Sequence, residues 1–380
     1  MGKVTQRWLD IDLPPGRSAF LWGPRKVGKS YWIREHFRRP DDRYIDLLQT
    51  DVYAEYATRP ALLRERWQGQ RTIIDEIQTI PVLLNEVHWL IENKGASFLL
   101  TGSSARKLRR GHANLLGGRA WRFEMGPLSV REVAGFDLER ALRSGMLPPH
   151  FTSPAPEMDL RAYVADYLKE EVAAEARTQN IPAFAEFLRV CALTCAELLN
   201  YSNVARECGV SAKVVRTYFQ ILEDTFLGFR LQPWTRAASR RMAQTEKFYL
   251  FDVGVANHLA RRRPVPGSAA FGKSFEHFIL LEVLHQRRYA QPDLEVRFWR
   301  TTSGHEVDLI LDDMRVAIEI KASSRIHRGD LRGLRALHRD HQPQHTILVC
   351  CEREPRVLEG VTLLPWLTFL EKLWAGEFDT

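Results

Sequence analysis

The stretch that decides the fold is SAFLWGPRKVGKSYW, residues 18–32. A short apolar run reads as a strand, GPRKVGKS at 23–30 as a glycine-rich turn, and SYWIREHF as the helix behind it. In that context successive backbone N–H groups can wrap a phosphate chain, and the helix N-terminus adds positive potential. The loop therefore predicts a nucleotide site built from Gly23, Pro24, Arg25, Lys26, Val27, Gly28, Lys29, Ser30 and Tyr31. Lys29 is expected to act in catalysis by reaching the outer phosphates, and Ser30 to ligate magnesium.

Outward from this loop, residues 18–140 alternate short aliphatic runs (RYIDL, RTIIDE, SFLLTGSS) with helical patterns such as IPVLLNEVHWLIENKG. That alternation predicts a parallel α/β sheet. RTIIDE ends in two carboxylates, with Asp75 expected to hold the metal shell and Glu76 to orient or polarise an attacking water. Either motif alone reads equally as a glycine turn or a solvated strand end. Both in order in one domain predict ATP with Mg2+ as cofactors. Ser103, near the end of SFLLTGSSARKL, is a further catalytic candidate whose hydroxyl could touch the water or γ-phosphate; the alternative is a helix cap.

The 380 residues are 45% hydrophobic, enough for two or three domains with buried cores. No apolar run reaches bilayer-spanning length, and the opening MGKVTQRWLD has no apolar signal core, so a cytoplasmic protein without membrane contact is expected. The five cysteines lack paired metal-ligand spacing and read as reduced core residues. A net charge of +7 and arginine clusters at 106–110, 236–241 and 261–263 would attract a polyanion, nucleic acid first; solvated surface charge is the plain alternative.

Pro- and Ser-rich MLPPHFTSPAPEMD at 146–159 breaks the alternation, giving domains at 1–150, 151–262 and 263–380. In the second, SNVARECGVSAKVVRTYFQILEDTFL reads as helix, Gly209 turn, helix, with Ser202 and Ser211 as N-caps. Such a winged-helix unit would offer Lys213 and Arg216 outward to DNA, joined by Arg236, Arg240 and Arg241 from TRAASRRM, or would only pack domains together.

The third domain carries Glu276 on a helix, Asp308 in GHEVDLIL, and Glu319 with Lys321 in AIEIKA. Glu319 and Lys321, two apart on a strand, share a face, and Asp308 on the adjacent hairpin strand can lie beside Glu319. Asp308 and Glu319 are then the two carboxylates that could hold a magnesium, with Glu319 and Lys321 as catalytic candidates; a half-exposed edge strand with a surface ion pair has the same pattern.

GPRKVGKS, IIDEIQ, LLTGSSARKL, LLGGRAWRFEMGPLSVRE and YLFDVGVANHL resemble the bacterial AAA-type (AAA+) ATPase family whose C-terminal half is a domain of unknown function. The Asp308…Glu319-Ile320-Lys321 arrangement resembles the restriction-endonuclease-like, PD-(D/E)XK, nuclease superfamily, with Glu276 matching its helical acid, which implies Glu276 as a further metal-ligand candidate. Together the resemblances imply an α/β chain: a P-loop AAA+ ATPase domain, a helical winged-helix middle domain and a restriction-endonuclease-like C-terminal domain. They also imply Arg119 as a finger completing a neighbour's site, and a homo-oligomer for which a hexamer is one expectation. Three functions stay open: an ATPase that moves or remodels duplex or branched DNA, an ATP-regulated Mg2+-dependent endonuclease, and a nucleotide switch that binds a protein partner.

Overall fold

The computed structural model describes residues 3–4, 6–106, 116–171, 180–235 and 245–378. Arg236, Arg240 and Arg241 lie outside the described residues. The aliphatic runs of the N-terminal region form five strands: β1 (Ser18–Trp22), β2 (Arg43–Asp46), β3 (Thr72–Asp75), β4 (Phe98–Gly102) and β5 (Ala120–Glu124). Their order is β2-β3-β4-β1-β5, all parallel. β1, β3 and β4 are buried along their whole length, which explains why they read as continuous apolar runs rather than alternating ones. The carboxyl ends of these three neighbours open on one edge of the sheet, where open α/β sheets bind ligands.

The stretch 146–159, read as a break, folds into two short helices, Pro148–Thr152 and Pro156–Ala162. Each has proline in its first turn, where the missing N–H costs no hydrogen bond. Beyond them, helix α1 (Ile181–Leu193) packs with α2 (Tyr201–Cys208) and α3 (Ala212–Asp224). Ser211 caps α3 as expected, whereas Asn200 rather than Ser202 caps α2, because the helix already begins at Tyr201. An antiparallel hairpin follows, β6 (Gly228–Leu231) with β7 (Lys247–Leu250). One apolar core runs from Ala19 and Leu21 on β1, through Leu147 and Tyr163, to Phe219 and Phe248.

The YLFDVGVANHL motif is a clasp. Asp252 caps α4 (Val253–Leu259) through Val255 N at 2.9 Å and accepts from Met146 N at 2.7 Å. Gly254 lies so close to the Gly145 backbone that a Cβ would collide with it. Asn257 Nδ2 donates to Leu142 O and Ser274 Oγ, both at 2.9 Å, tying α4 to the long helix α5 (Ala269–Tyr289).

After α5 come β8 (Val296–Arg300), β9 (Glu306–Leu311), β10 (Val316–Lys321), helix α6 (Arg332–Asp340), β11 (His345–Cys350), β12 (Arg356–Leu358) and β13 (Val361–Pro365). The sheet order is β8-β9-β10-β11-β13-β12, antiparallel across β8-β9-β10 and parallel from β10 to β11 and β13. All five cysteines are free; four are buried and Cys351 is half-buried. Among the described residues no helix is long and apolar enough to cross a membrane.

Candidate functional site

The loop that follows β1 is shaped by its glycines. Gly28 sits at φ 96°, a conformation that L side chains avoid, and passes the chain into the helix Lys29–Trp32. A Cβ on Gly23 would strike Met125 O, so the loop can lie against the end of β5 only with glycine there. Lys29 is buried and its ammonium donates to Gly23 O at 2.7 Å and Pro24 O at 3.1 Å, holding the loop in a closed curve. Burial pulls the Lys29 pKa below the usual lysine value, against the opposing pull of Glu76 and Asp75. Ser30 is half-buried and Tyr31 exposed in the same first turn.

Opposite the loop, β3 delivers the two carboxylates the sequence marks. Asp75 is buried, with Oδ2 accepting from Tyr44 Oη at 2.6 Å and Oδ1 accepting from Thr101 Oγ1. Burial, then Asp75, raises the Tyr44 pKa well above its usual value, so this phenol stays a donor. Glu76 leaves the strand at φ 61°, the left-handed region that non-glycine residues rarely adopt. Its Oε2 accepts from Gln78 Nε2 and from Ser103 Oγ at 3.2 Å, and Gln78 Nε2 also reaches Ser103 Oγ at 3.2 Å. The two catalytic candidates Glu76 and Ser103 are therefore in contact. Gln78, Tyr44 and the tie from Thr101 to Asp75 were not legible from the motif. Gly102 makes room for this group, since a Cβ there would lie 2.5 Å from Gln78 Oε1 and 2.6 Å from the Trp22 ring.

The floor under the loop comes from the 146–167 segment. Pro148 lies beneath Gly28, Tyr163 Oη donates to Arg25 O at 3.5 Å, and the cations of Arg25 and Lys26 lie over the Tyr167 and Tyr163 rings. His150 is buried edge-on to Tyr163, with its pKa pulled down to about 4 by burial and, secondarily, by Lys26. Behind the loop the buried Arg7 guanidinium donates to Val27 O and Gly126 O at 2.7 Å, Tyr289 Oη at 3.1 Å and Glu132 Oε1 at 3.0 Å.

Arg119 is exposed, paired with Glu92, and precedes β5 at the end that aligns with Ser18. It stands about 13 Å along the strand from the loop edge of its own sheet and does not join the site of its own chain. Arg106 pairs with Asp224 at 3.1 Å and so links the segment after Ser103 to α3. Lys213 and Arg216 are exposed on α3, with Arg216 also over the Tyr201 ring at 4.8 Å.

The second constellation also converges. The Asp308 carboxylate accepts from Ile320 N at 2.7 Å, which sets it beside Glu319. Glu319 Oε1 accepts from Lys321 Nζ at 2.5 Å, while its Oε2 is buried with no hydrogen-bond partner. Glu276 Oε1 accepts from Tyr249 Oη at 3.1 Å. Lys247, which the sequence reading did not mark, enters from β7: its Nζ is 2.5 Å from Glu306 Oε1 and 3.8 Å from Glu276 Oε1. Burial, then Asp308, pushes the Glu276 pKa up to about 7, and the same two causes raise Glu319 well above the carboxylate range. Burial also raises Asp308, with Lys321 and Lys247 opposing.

The two sites differ in their fit to a cation. At the loop, magnesium would be held by Ser30, Asp75 and nucleotide oxygens, a set that needs few protein ligands, and the glycine cradle with its buried lysine fits a nucleotide. At Glu276, Asp308 and Glu319 an ammonium already lies among the carboxylates, and among the described residues no group of three or more His, Cys, Asp or Glu side chains is placed to hold an ion. A divalent ion does not fit this cluster as it is folded.

Residues 16–134 match the family model described as AAA domain. Residues 135–265 and 271–369 match two models described only as domains of unknown function, DUF8612 and DUF4143. Two uncharacterized mycobacterial proteins, from Mycobacterium bovis and Mycobacterium tuberculosis, are each 28% identical over 319 residues, covering 80% of this chain and 70% of their own. The Aeropyrum pernix Orc1 protein, solved in complex with DNA, shows 13% identity and a TM-score of 0.25 over 64% of this chain and 86% of its own, a likeness too slight to carry an argument. The parallel sheet, the glycine loop with Lys29 and the acids at the end of β3 agree with the AAA domain model that residues 16–134 match.

Proposed function

We propose that the chain hydrolyses ATP as a homo-oligomer and uses the energy to move or remodel duplex or branched DNA held by its basic C-terminal half. What carries the reading is the gathering of Lys29, Asp75, Glu76 and Ser103 at the carboxyl ends of three adjacent parallel strands. When bound, Mg2+-ATP supplies an electrophilic γ-phosphoryl group, with Ser30 and Asp75 as the residues to hold the metal. Lys29 offsets negative charge on the outer phosphates. Glu76 orients the attacking water and draws on its proton; Gln78 and Ser103 fix the carboxylate by bonding the same oxygen.

DNA is supported by the net charge of +7 and by exposed Lys213 and Arg216 on the second helix of a helix–Gly209–helix unit, followed by a hairpin as in winged helices. Phosphodiester cleavage is left out of this reading, because lysine ammonium groups already contact the carboxylates around Asp308. The oligomer reading leans on Arg119, an exposed arginine at the end of β5 opposite its own site. Mixing Arg119→Ala with Lys29→Ala chains should restore ATP turnover in trans, and no restoration at any ratio removes the finger. The central test measures ATP turnover and DNA integrity on linear, forked and four-way DNA, with Lys29→Ala and Asp308→Ala as controls. Turnover that rises with DNA, is lost in Lys29→Ala and leaves the strands intact is expected. Turnover indifferent to every DNA, or products that vanish with Asp308→Ala, would refute it.

A further inference from the structure

Lys247 opens β7, a strand whose four residues are all buried, and its own side chain is only 3% exposed. A lysine in that position must bring its charge inward, and it points to Glu306 at 2.5 Å and Glu276 at 3.8 Å, over the Phe298 ring at 5.3 Å. Strand alternation puts Tyr249 on the same face two residues on, and its hydroxyl donates to the same Glu276 oxygen. The hairpin is anchored beside this point, with Trp234 N donating to Phe298 O at 2.6 Å and Phe298 N to Gln232 O at 3.2 Å. The remaining carboxylates have partners too: Arg300 bonds Glu306 at 2.7 Å, Ile320 N bonds Asp308, and Lys321 bonds Glu319.

We propose that Lys247 is the resident cation of the carboxylate cluster, seated between Glu306 and Glu276: its ammonium supplies the positive charge that a divalent ion would otherwise bring and makes the cluster the socket in which the β6–β7 hairpin docks. The socket recognises a primary ammonium flanked by a phenol, and it excludes Mg2+ or Mn2+ by like-charge repulsion as long as Lys247 is seated. This assignment does not rest on the ATPase reading, since it concerns other residues and a different ligand.

The test is Mn2+ binding to the full chain without nucleotide, followed by electron paramagnetic resonance and calorimetry. In the wild type, Asp308→Asn should leave Mn2+ binding unchanged. Lys247→Met should gain a site that binds Mn2+ at least about tenfold tighter than any Asp308-dependent binding in the wild type. That site should disappear in Lys247→Met/Asp308→Asn, while Lys247→Arg should not show it. Mn2+ should also raise the melting temperature of Lys247→Met and not that of the wild type. A wild-type Mn2+ site abolished by Asp308→Asn would overturn the proposal, as would a folded Lys247→Met chain with no new site. If Lys247→Met does not fold, the wild-type and Asp308→Asn pair still decides.

Discussion

The phosphate loop and the carboxylate socket use the same residue types, acids at strand positions with lysines among them, and use them in opposite ways. At the loop, Lys29 bonds only backbone carbonyls, and Asp75 and Glu76 are held by neutral hydroxyl and amide groups. The charges are thus positioned without being paired to one another, which leaves them for a ligand. At the socket, Lys247 and Lys321 contact Glu306, Glu276 and Glu319 directly, so each ammonium is met by carboxyl groups of the protein itself. Whether a buried lysine serves a ligand or the fold depends on what already neutralises it.

That contrast can be broken most forcefully at the loop. Lys29→Ala and Glu76→Gln should each lower the ATP turnover rate by about 10²–10³-fold with the fold intact by circular dichroism, the range seen when one transition-state contact is lost. Retained turnover in either would remove the loop assignment. At the socket, Lys247→Met should leave the turnover rate within about twofold of the wild type and lower unfolding stability by about 3 kcal/mol in urea titrations, because a buried pair loses one partner.

The pH dependence separates the two regions by sign. His150, held near 4 rather than 6.5, stays neutral where the unfolded chain takes up a proton, so its contribution to stability is lost as pH falls from about 6.5 toward 4. The loss approaches about 2–3 kcal/mol, and His150→Phe should flatten that limb of the urea-midpoint curve. Glu276, raised to about 7, contributes in the other direction: its share is present below about pH 4.5 and lost as pH rises through about 7. Glu276→Gln should remove that slope, and two substitutions tilting the curve the same way would contradict the assignment. The smallest effect belongs to the surface: Lys213→Ala and Arg216→Ala should each weaken DNA binding a few-fold and reduce the salt slope by about 1, as phosphate contacts do.

The loop and its acids were legible because their signals are local, with strand, glycine turn and helix contiguous at 18–32 and an apolar run closing on Asp75 and Glu76. The placing of Asp308, Glu319 and Lys321 together followed from strand alternation over a short hairpin, whereas Glu276, on a helix, was marked through the resemblance. What stayed hidden depends on residues far apart in the chain. Gln78 matters only because Glu76 adopts a left-handed turn, and Arg7 only because it meets Val27, Glu132 and Tyr289. Lys247 left one faint signal, a lysine opening the otherwise apolar KFYLF. The two short helices within the Pro-rich 146–159 stretch were not legible, because proline breaks a helix interior yet suits its first turn.

Arg7 carries one more consequence. A guanidinium is a flat, rigid plate, and this one is fastened at once to the phosphate loop at Val27, to the 126–132 stretch and to the far end of α5 at Tyr289. These three pieces of chain therefore share a common pivot: the loop cannot shift by an ångström without tilting the plate or tearing one of its bonds. A displacement of the loop therefore has a short mechanical path into the helix from which Glu276 projects.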